Sequence, residues 1–225
     1  MQDWEAVALT IKLAAITVAV LLVLGTPLAF WLAFTTTRLK PVIEAVVALP
    51  LVLPPTVLGF YLLLLFGSRS GIGEFWVRLA GEPLVFSFTG LVIASVIYSL
   101  PFVVNPLQQA FSQMGRAPLE AAATLGASPI DAFFTVASPL AMRGFITAIV
   151  LGFAHTMGEF GVVLMVGGNI PGETRVISIA IYEAVERLDY QEAHTLSLGL
   201  LAFSFLVLVM VYLVNKRLPI AGRQP

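Results

Sequence analysis

RAPLEAAATLGASPIDAFFTVASPLAMR, residues 116–143, is a polar interruption in an otherwise apolar chain. Long apolar runs precede and follow it, so it reads as a loop between two membrane spans. Its composition is nonetheless that of an ordered segment. Pro118 suits the first turn of a helix, where its missing N–H costs nothing. Residues 119–125 are Ala-rich and favour that helix. Gly126 fits the left-handed position that ends it. Ser128 then caps a second helix, with Pro129 in its first turn and Asp131 three residues after the cap. That helix carries Ile130, Phe133, Phe134 and Val136 and is expected to stop before Pro139. The reading is helix, turn, helix: an ordered polar knob on one face of a membrane protein, built to dock something.

Composition supports the membrane setting. The chain has 225 residues, 59% hydrophobic and 11% charged, where a soluble domain carries about 25% charged residues. Cysteine is absent, which removes disulfide and thiol chemistry. A net charge of −1 leaves no basic footprint for nucleic acid. The first apolar run is too long for a signal-peptide core and is expected to stay as a span.

Five segments meet the requirement of about 20 mostly apolar residues: 7–34, 43–66, 85–111, 140–166 and 196–214. The expected fold is therefore all-α, one transmembrane domain over residues 1–225. The knob, 116–139, is its main polar loop. Basic residues set the orientation. Arg38 and Lys40 follow span one, Arg116 and Arg143 bracket the knob, and Lys216, Arg217 and Arg223 follow span five. Placing these in the cytoplasm puts the N-terminus outside, the C-terminus inside and the knob in the cytoplasm. Residues 176–188 form an amphipathic helix too short to span. Val176, Ile177, Ala180, Ile181, Ala184 and Leu188 share its apolar face, expected to lie half embedded on the outer surface.

Prolines occur inside the spans: Pro27 in the first, Pro50, Pro54 and Pro55 in the second, Pro101 and Pro106 in the third. Each removes a helix hydrogen bond, and lipid cannot satisfy the freed carbonyl. Broken backbone belongs against protein or a water-filled path, so Pro50, Pro54, Pro55 and Thr56 are candidates for a translocation route and its gate. Asn105, His155 and Glu159 join them. His155 and Glu159 are four apart, hence on one helical face, but two ligands are too few for a metal site. Glu159 lies 16 residues after Arg143, roughly 24 Å along a helix, near the outer end of the bilayer core. No Lys or Arg lies deep in a span. An anion crossing here meets hydroxyls, amides and backbone N–H groups, with Thr56, Ser95, Ser99, Asn105, Thr147 and Thr156 as lining groups. No G-x-x-x-x-G-K-[ST] motif occurs, so ATP-driven transport requires a separate ATPase.

The knob resembles the EAA loop of bacterial ABC importer permeases, whose pattern is E-A-A, three residues, G, nine residues, I-x-L-P. Glu120, Ala121, Ala122, Gly126 and Pro139 stand at matching positions, Val136 replaces the usual Ile, and Ser138 the usual Leu. Over nearly its whole length the chain is similar to the molybdate permease family. The stretches that carry this are LPLVLPPTVLGFYLLLLFG (49–67), TLGASPIDAFFTV (124–136) and GEFGVVLMVGGNIPGETRVISIAIYEAVE (158–186). The resemblance implies a bacterial or archaeal cell-membrane permease. Two copies would assemble with two ATP-binding cassette subunits, which hold the ATP and Mg, and with an oxyanion-binding protein docking outside. Asn169, Glu173 and Arg175 are the docking candidates. It implies no cofactor in this chain and molybdate as cargo, with tungstate alongside; sulfate permeases are close relatives. The alternative from another class is a self-contained secondary transporter, but that class favours internal repeats and midplane ionisable sites, and no repeat is visible.

Overall fold

The computed structural model describes residues 2–217, and every regular element among them is helical. In chain order these are α1 (Gln2–Phe34), α2 (Lys40–Val52), α3 (Pro55–Phe66), α4 (Gly71–Ala80), α5 (Phe88–Met114), α6 (Ala117–Thr124), α7 (Pro129–Ala132), α8 (Ser138–Leu140), α9 (Met142–Met157), α10 (Gly161–Gly167), α11 (Ile177–Glu186) and α12 (Tyr190–Arg217). Arg223, one of the expected basic residues, lies outside the described residues.

Three helical stretches, Trp4–Phe34, Phe88–Met114 and Tyr190–Met210, are each long and apolar enough to cross a membrane. The second expected span is two helices, α2 and α3, bent by 110°. Two consecutive prolines cause the bend. A residue before proline is pushed out of the α region, and both Leu53 (ψ 136°) and Pro54 (ψ 135°) are extended. Pro55 then opens α3 at a position where its missing N–H is harmless. The fourth expected span is also divided, into α9 and α10, around Gly158, Glu159 and Phe160. Pro101 and Pro106 behave differently: α5 runs unbroken through both. Pro27 is likewise absorbed within α1.

The two divided segments lie side by side. Gly161 and Gly59 permit this. A Cβ on Gly161 would stand 2.8 Å from the Pro55 Cβ, and one on Gly59 would stand 2.8 Å from the Met165 Cβ. Close backbone approach through small residues is the usual way helices associate in lipid. Around them, one apolar cluster joins α1, α2, α5 and α9 through Leu21, Leu32, Val47, Val104, Phe111 and Ala148. A second joins α3, α5 and α10 through Leu62, Phe66, Ala94, Val162 and Val166.

Two sequence expectations need correction, and one helix was not anticipated. The second knob helix does not stop before Pro139. It continues through a π-helical turn, Phe133–Ala137, into α8. The wider turn lets Ser138 N–H reach back to Phe133 O, which accommodates the proline ring without ending the helix. The residue 67–87 connection holds a helix, α4, capped by Ser70 accepting from Gly73 N–H at 2.9 Å and closed by Gly81 at φ +79°. Finally, α11 is more enclosed than a surface helix. Val176, Ile177, Ile179, Ala180 and Ala184 are buried, whereas Leu188 turns outward at φ +59° and is 70% exposed.

Candidate functional site

The knob is rigid by construction. Gly126 sits at φ +88°. Its N–H donates to Ala123 O at 3.0 Å, and Ala127 N–H donates to Ala122 O at 3.1 Å, the paired bonds of a Schellman ending. Ser128 Oγ accepts from Asp131 N–H at 3.2 Å, as the sequence indicates. Two anchors fasten the knob to the bundle. Arg116 donates from Nη2 to the Phe34 carbonyl at the end of α1 and lies 6.0 Å from the Phe34 ring. Phe133 meets Phe30 edge-on, centroids 5.3 Å apart, and lies 6.2 Å from Phe111. Ala122, Ala132 and Ala137 face inward. Glu120, Ala121, Gly126 and Pro139 are exposed and Val136 is half-buried. Leu125 projects, 89% exposed, while Ile130 and Phe134, 73% and 67% exposed, also line an apolar groove of about 860 Å³ with Leu22, Phe30 and Met142. The outcome is an apolar-tipped bracket whose inner face is locked to α1 and α5.

A second constellation lies where the two divided segments meet. Pro55, Thr56, Tyr98, His155, Glu159 and Gly161 line a cavity of about 530 Å³. Four of the sequence candidates, Pro55, Thr56, His155 and Glu159, are thus brought together. Pro54 sits at the bend itself, Pro50 is buried within α2, and Asn105 lies further along α5. α9 ends at Met157, so Glu159 does not share a helix with His155; the break carries it to the same cavity.

A hydrogen-bond chain orients the histidine. Thr156 Oγ1 donates to Gly152 O at 2.9 Å, because a carbonyl only accepts. Its contact with Ser99 Oγ at 3.0 Å must then use the serine proton, and the 2.9 Å contact between Ser99 Oγ and His155 Nδ1 needs a proton on Nδ1. The ring is therefore held with Nδ1 as donor. It stacks on Phe102 at 3.8 Å and 23° and lies 4.7 Å from Tyr98. Glu159 is only 3% exposed, with the Ser95 hydroxyl beside its carboxylate. Its backbone carbonyl accepts from Ser178 Oγ at 2.6 Å, tying the break to α11. The aromatic partners Tyr98 and Phe102 were missed from sequence. Within a uniformly apolar run, no local signal marks which ring meets His155.

At the opposite end from the knob, the 169–175 turn is laced in place. Thr174 Oγ1 donates to Gly167 O at 2.7 Å and accepts from Ile170 N–H at 3.1 Å. Ile177 N–H donates to Thr10 Oγ1 at 2.8 Å. Asn169 and Glu173 are exposed. Arg175 is not: it is 5% exposed and paired with Glu183 at 3.0 Å, where Asn169 Nδ2 also donates at 3.0 Å. It orders the turn rather than presenting a surface charge.

Comparison with known proteins agrees with this arrangement. Residues 25–219 match the family described as "Binding-protein-dependent transport system inner membrane component". The molybdenum transport system permease protein ModB of Azotobacter vinelandii is 59% identical over 210 residues, 93% of each chain. Its Escherichia coli K12 counterpart is 38% identical over 184 residues, 82% of this chain and 80% of that one. The sulfate transport system permease protein CysT of Synechocystis is 32% identical over 194 residues, 86% of this chain and 68% of that one. Among solved structures, a bacterial ABC transporter involved in alginate import superposes with TM-score 0.74 at 16% identity, covering 96% of this chain and 78% of that one. An inward-facing form of the MetNI methionine ABC transporter gives TM-score 0.70 at 16% identity, covering 95% and 93%. With its several membrane-length apolar helices, the chain belongs to the family of binding-protein-dependent transport system inner membrane components.

Proposed function

We propose that this chain is the permease subunit of an ATP-driven importer that moves molybdate, with tungstate as a second cargo, from an oxyanion-binding protein into the cell. The observation that carries the cargo is the 59% identity, over 93% of both chains, with a molybdenum transport permease. Sulfate is the second reading, favoured by the 32% identity with a sulfate permease. Family membership removes the need for a self-contained secondary transporter.

In this reading two copies face each other, five spans each, with the N-terminus outside. Two contacts support that grouping of helix ends. Arg116 reaches Phe34 at the knob end, and Phe86 N–H donates to Val166 O at 2.8 Å at the other. Two ATPase subunits, holding ATP and Mg, dock on the knobs through Leu125, Ile130 and Phe134 around Glu120 and Gly126. Their closure pushes the brackets together. Because Phe133 and Arg116 fix each bracket to α1 and α5, the push turns those helices rather than bending a loop. The oxyanion-binding protein docks at Asn169 and Glu173.

The test is uptake into vesicles holding this chain with its ATPase. Labelled molybdate should enter only with ATP and binding protein, and tungstate should compete more strongly than sulfate. Entry through this chain alone would end the proposal.

A further inference from the structure

The inner half of α5 is polar on the wrong side for a lipid-facing helix. Asn105, Gln108, Gln109, Ser112 and Gln113 follow i, i+3, i+4, i+7, i+8 spacing and line a groove of about 350 Å³. Val104, Leu107 and Phe111, on the opposite side, are fully buried in the bundle. Gln109, Ser112 and Gln113 are exposed, and Asn105 and Gln108 half-buried. This is not only an end effect at the membrane surface. Arg116, which meets the end of α1, marks the inner boundary. Asn105 is eleven residues earlier, about 16 Å along the helix, at the middle of a ~30 Å core. Hydrocarbon cannot satisfy five amide and hydroxyl groups over that depth; water can.

The same face continues outward. Tyr98, Phe102, Asn105, Gln109 and Ser112 step along α5 by four, three, four and three residues. Tyr98 borders the outer cavity with Thr56 and Glu159. Between that cavity and the amide groove on this face of α5 lies Phe102, stacked on His155 at 3.8 Å. The Ser99–Thr156 chain fixes the His155 side of the stack.

Resting on the importer reading above, we propose that this face of α5 is the wall of the oxyanion path, and that the Phe102–His155 stack is the plug closing it midway. A second copy supplies the opposite wall. Carboxamide and hydroxyl groups give a tetrahedral oxyanion donors in place of water, and without fixed positive charge they do not trap it. The carboxylate at the inner mouth, Glu44, is engaged by Gln108 Nε2 at 2.6 Å and faces Lys40 at 3.8 Å, which offsets its repulsion.

The absence of cysteine makes a direct test available. Gln109→Cys, Ser112→Cys and, as a lipid-side control, Leu201→Cys on the exposed face of α12 are each made in the complete complex with its ATPase. With nucleotide absent, an anionic methanethiosulfonate is applied at the knob side. The two α5 thiols should react about a hundredfold faster than the control, since a thiolate in hydrocarbon is strongly disfavoured. From the other side, reagent should reach the Gln109→Cys thiol only when Phe102→Ala, or His155→Ala, removes the stack. Equal rates for Gln109→Cys and Leu201→Cys overturn the wall. Far-side labelling that neither variant changes, or that is already fast with the stack intact, overturns the plug. Molybdate uptake by the unmodified complex in the same vesicles separates these failures from failure of the importer reading.

Discussion

Gly126 and Glu120 test the knob in different ways. At φ +88° the glycine has no Cβ to strain, whereas a β-branched side chain there costs about 1–2 kcal/mol. Aspartate tolerates the conformation better, so Gly126→Asp keeps the turn while placing a charge where the ATPase would sit. Glu120 is exposed, so Glu120→Ala leaves folding alone. Both substitutions should weaken ATPase co-purification or uptake about tenfold, equivalent to ~1.4 kcal/mol, with membrane insertion unchanged. Normal uptake in both would count against the coupling role. Arg175 and Glu173 divide similarly at the outer turn. Arg175→Ala leaves the partly exposed Glu183 without its buried partner and should cost about 1–2 kcal/mol after allowance for solvent screening, read as faster proteolysis within 169–175. Glu173→Ala should leave that rate unchanged and lower only the stimulation of ATPase activity by the binding protein. If the two variants behave alike, the division between ordering and docking is wrong.

Among the helices, the α3–α10 crossing is the tightest test of packing. Gly161→Val or Gly59→Val must move Pro55 or Met165, whose nearest atoms already stand within 2.8 Å of the added Cβ. Overpacking of this kind costs about 1–3 kcal/mol, so a lower unfolding temperature in detergent is expected, with uptake impaired because the outer cavity is built on this crossing. The knob was legible in the sequence because its signals are local: Gly126, Ser128 and Pro129 act within a few residues of themselves. The effect of proline on the spans was only half legible. Pro54 and Pro55 break the backbone because they are consecutive, while Pro101 and Pro106 are absorbed within a helix packed against α1 and α9. The α9–α10 break contains no proline at all, and its cavity depends on tertiary approach. α4 was missed although Ser70 and Gly81 bracket it. The amide stripe of α5 was present at helical spacing, but its polar residues are diluted by the apolar face that shares the same window.

For the whole molecule, the five-span reading makes a prediction that turns on α5: with that helix crossing, the knob and α4 lie on opposite sides of the membrane. Arg116 ties the knob to the end of α1, while α4 packs Trp76 against the cluster of α3, α5 and α10 at the far end. Leu125 is 89% exposed on the knob and Phe75 is 65% exposed on α4. In a chain without native cysteine, Leu125→Cys and Phe75→Cys therefore report the two faces separately. A membrane-impermeant maleimide should label Phe75→Cys in intact spheroplasts and Leu125→Cys only in inverted vesicles. Docked ATPase should then protect the Leu125→Cys thiol and leave the Phe75→Cys thiol untouched. Labelling of both from one side would mean that α5, the helix between α4 and the knob, does not cross the membrane. The brackets would then have no path by which motion at the ATPase could reach the outer cavity.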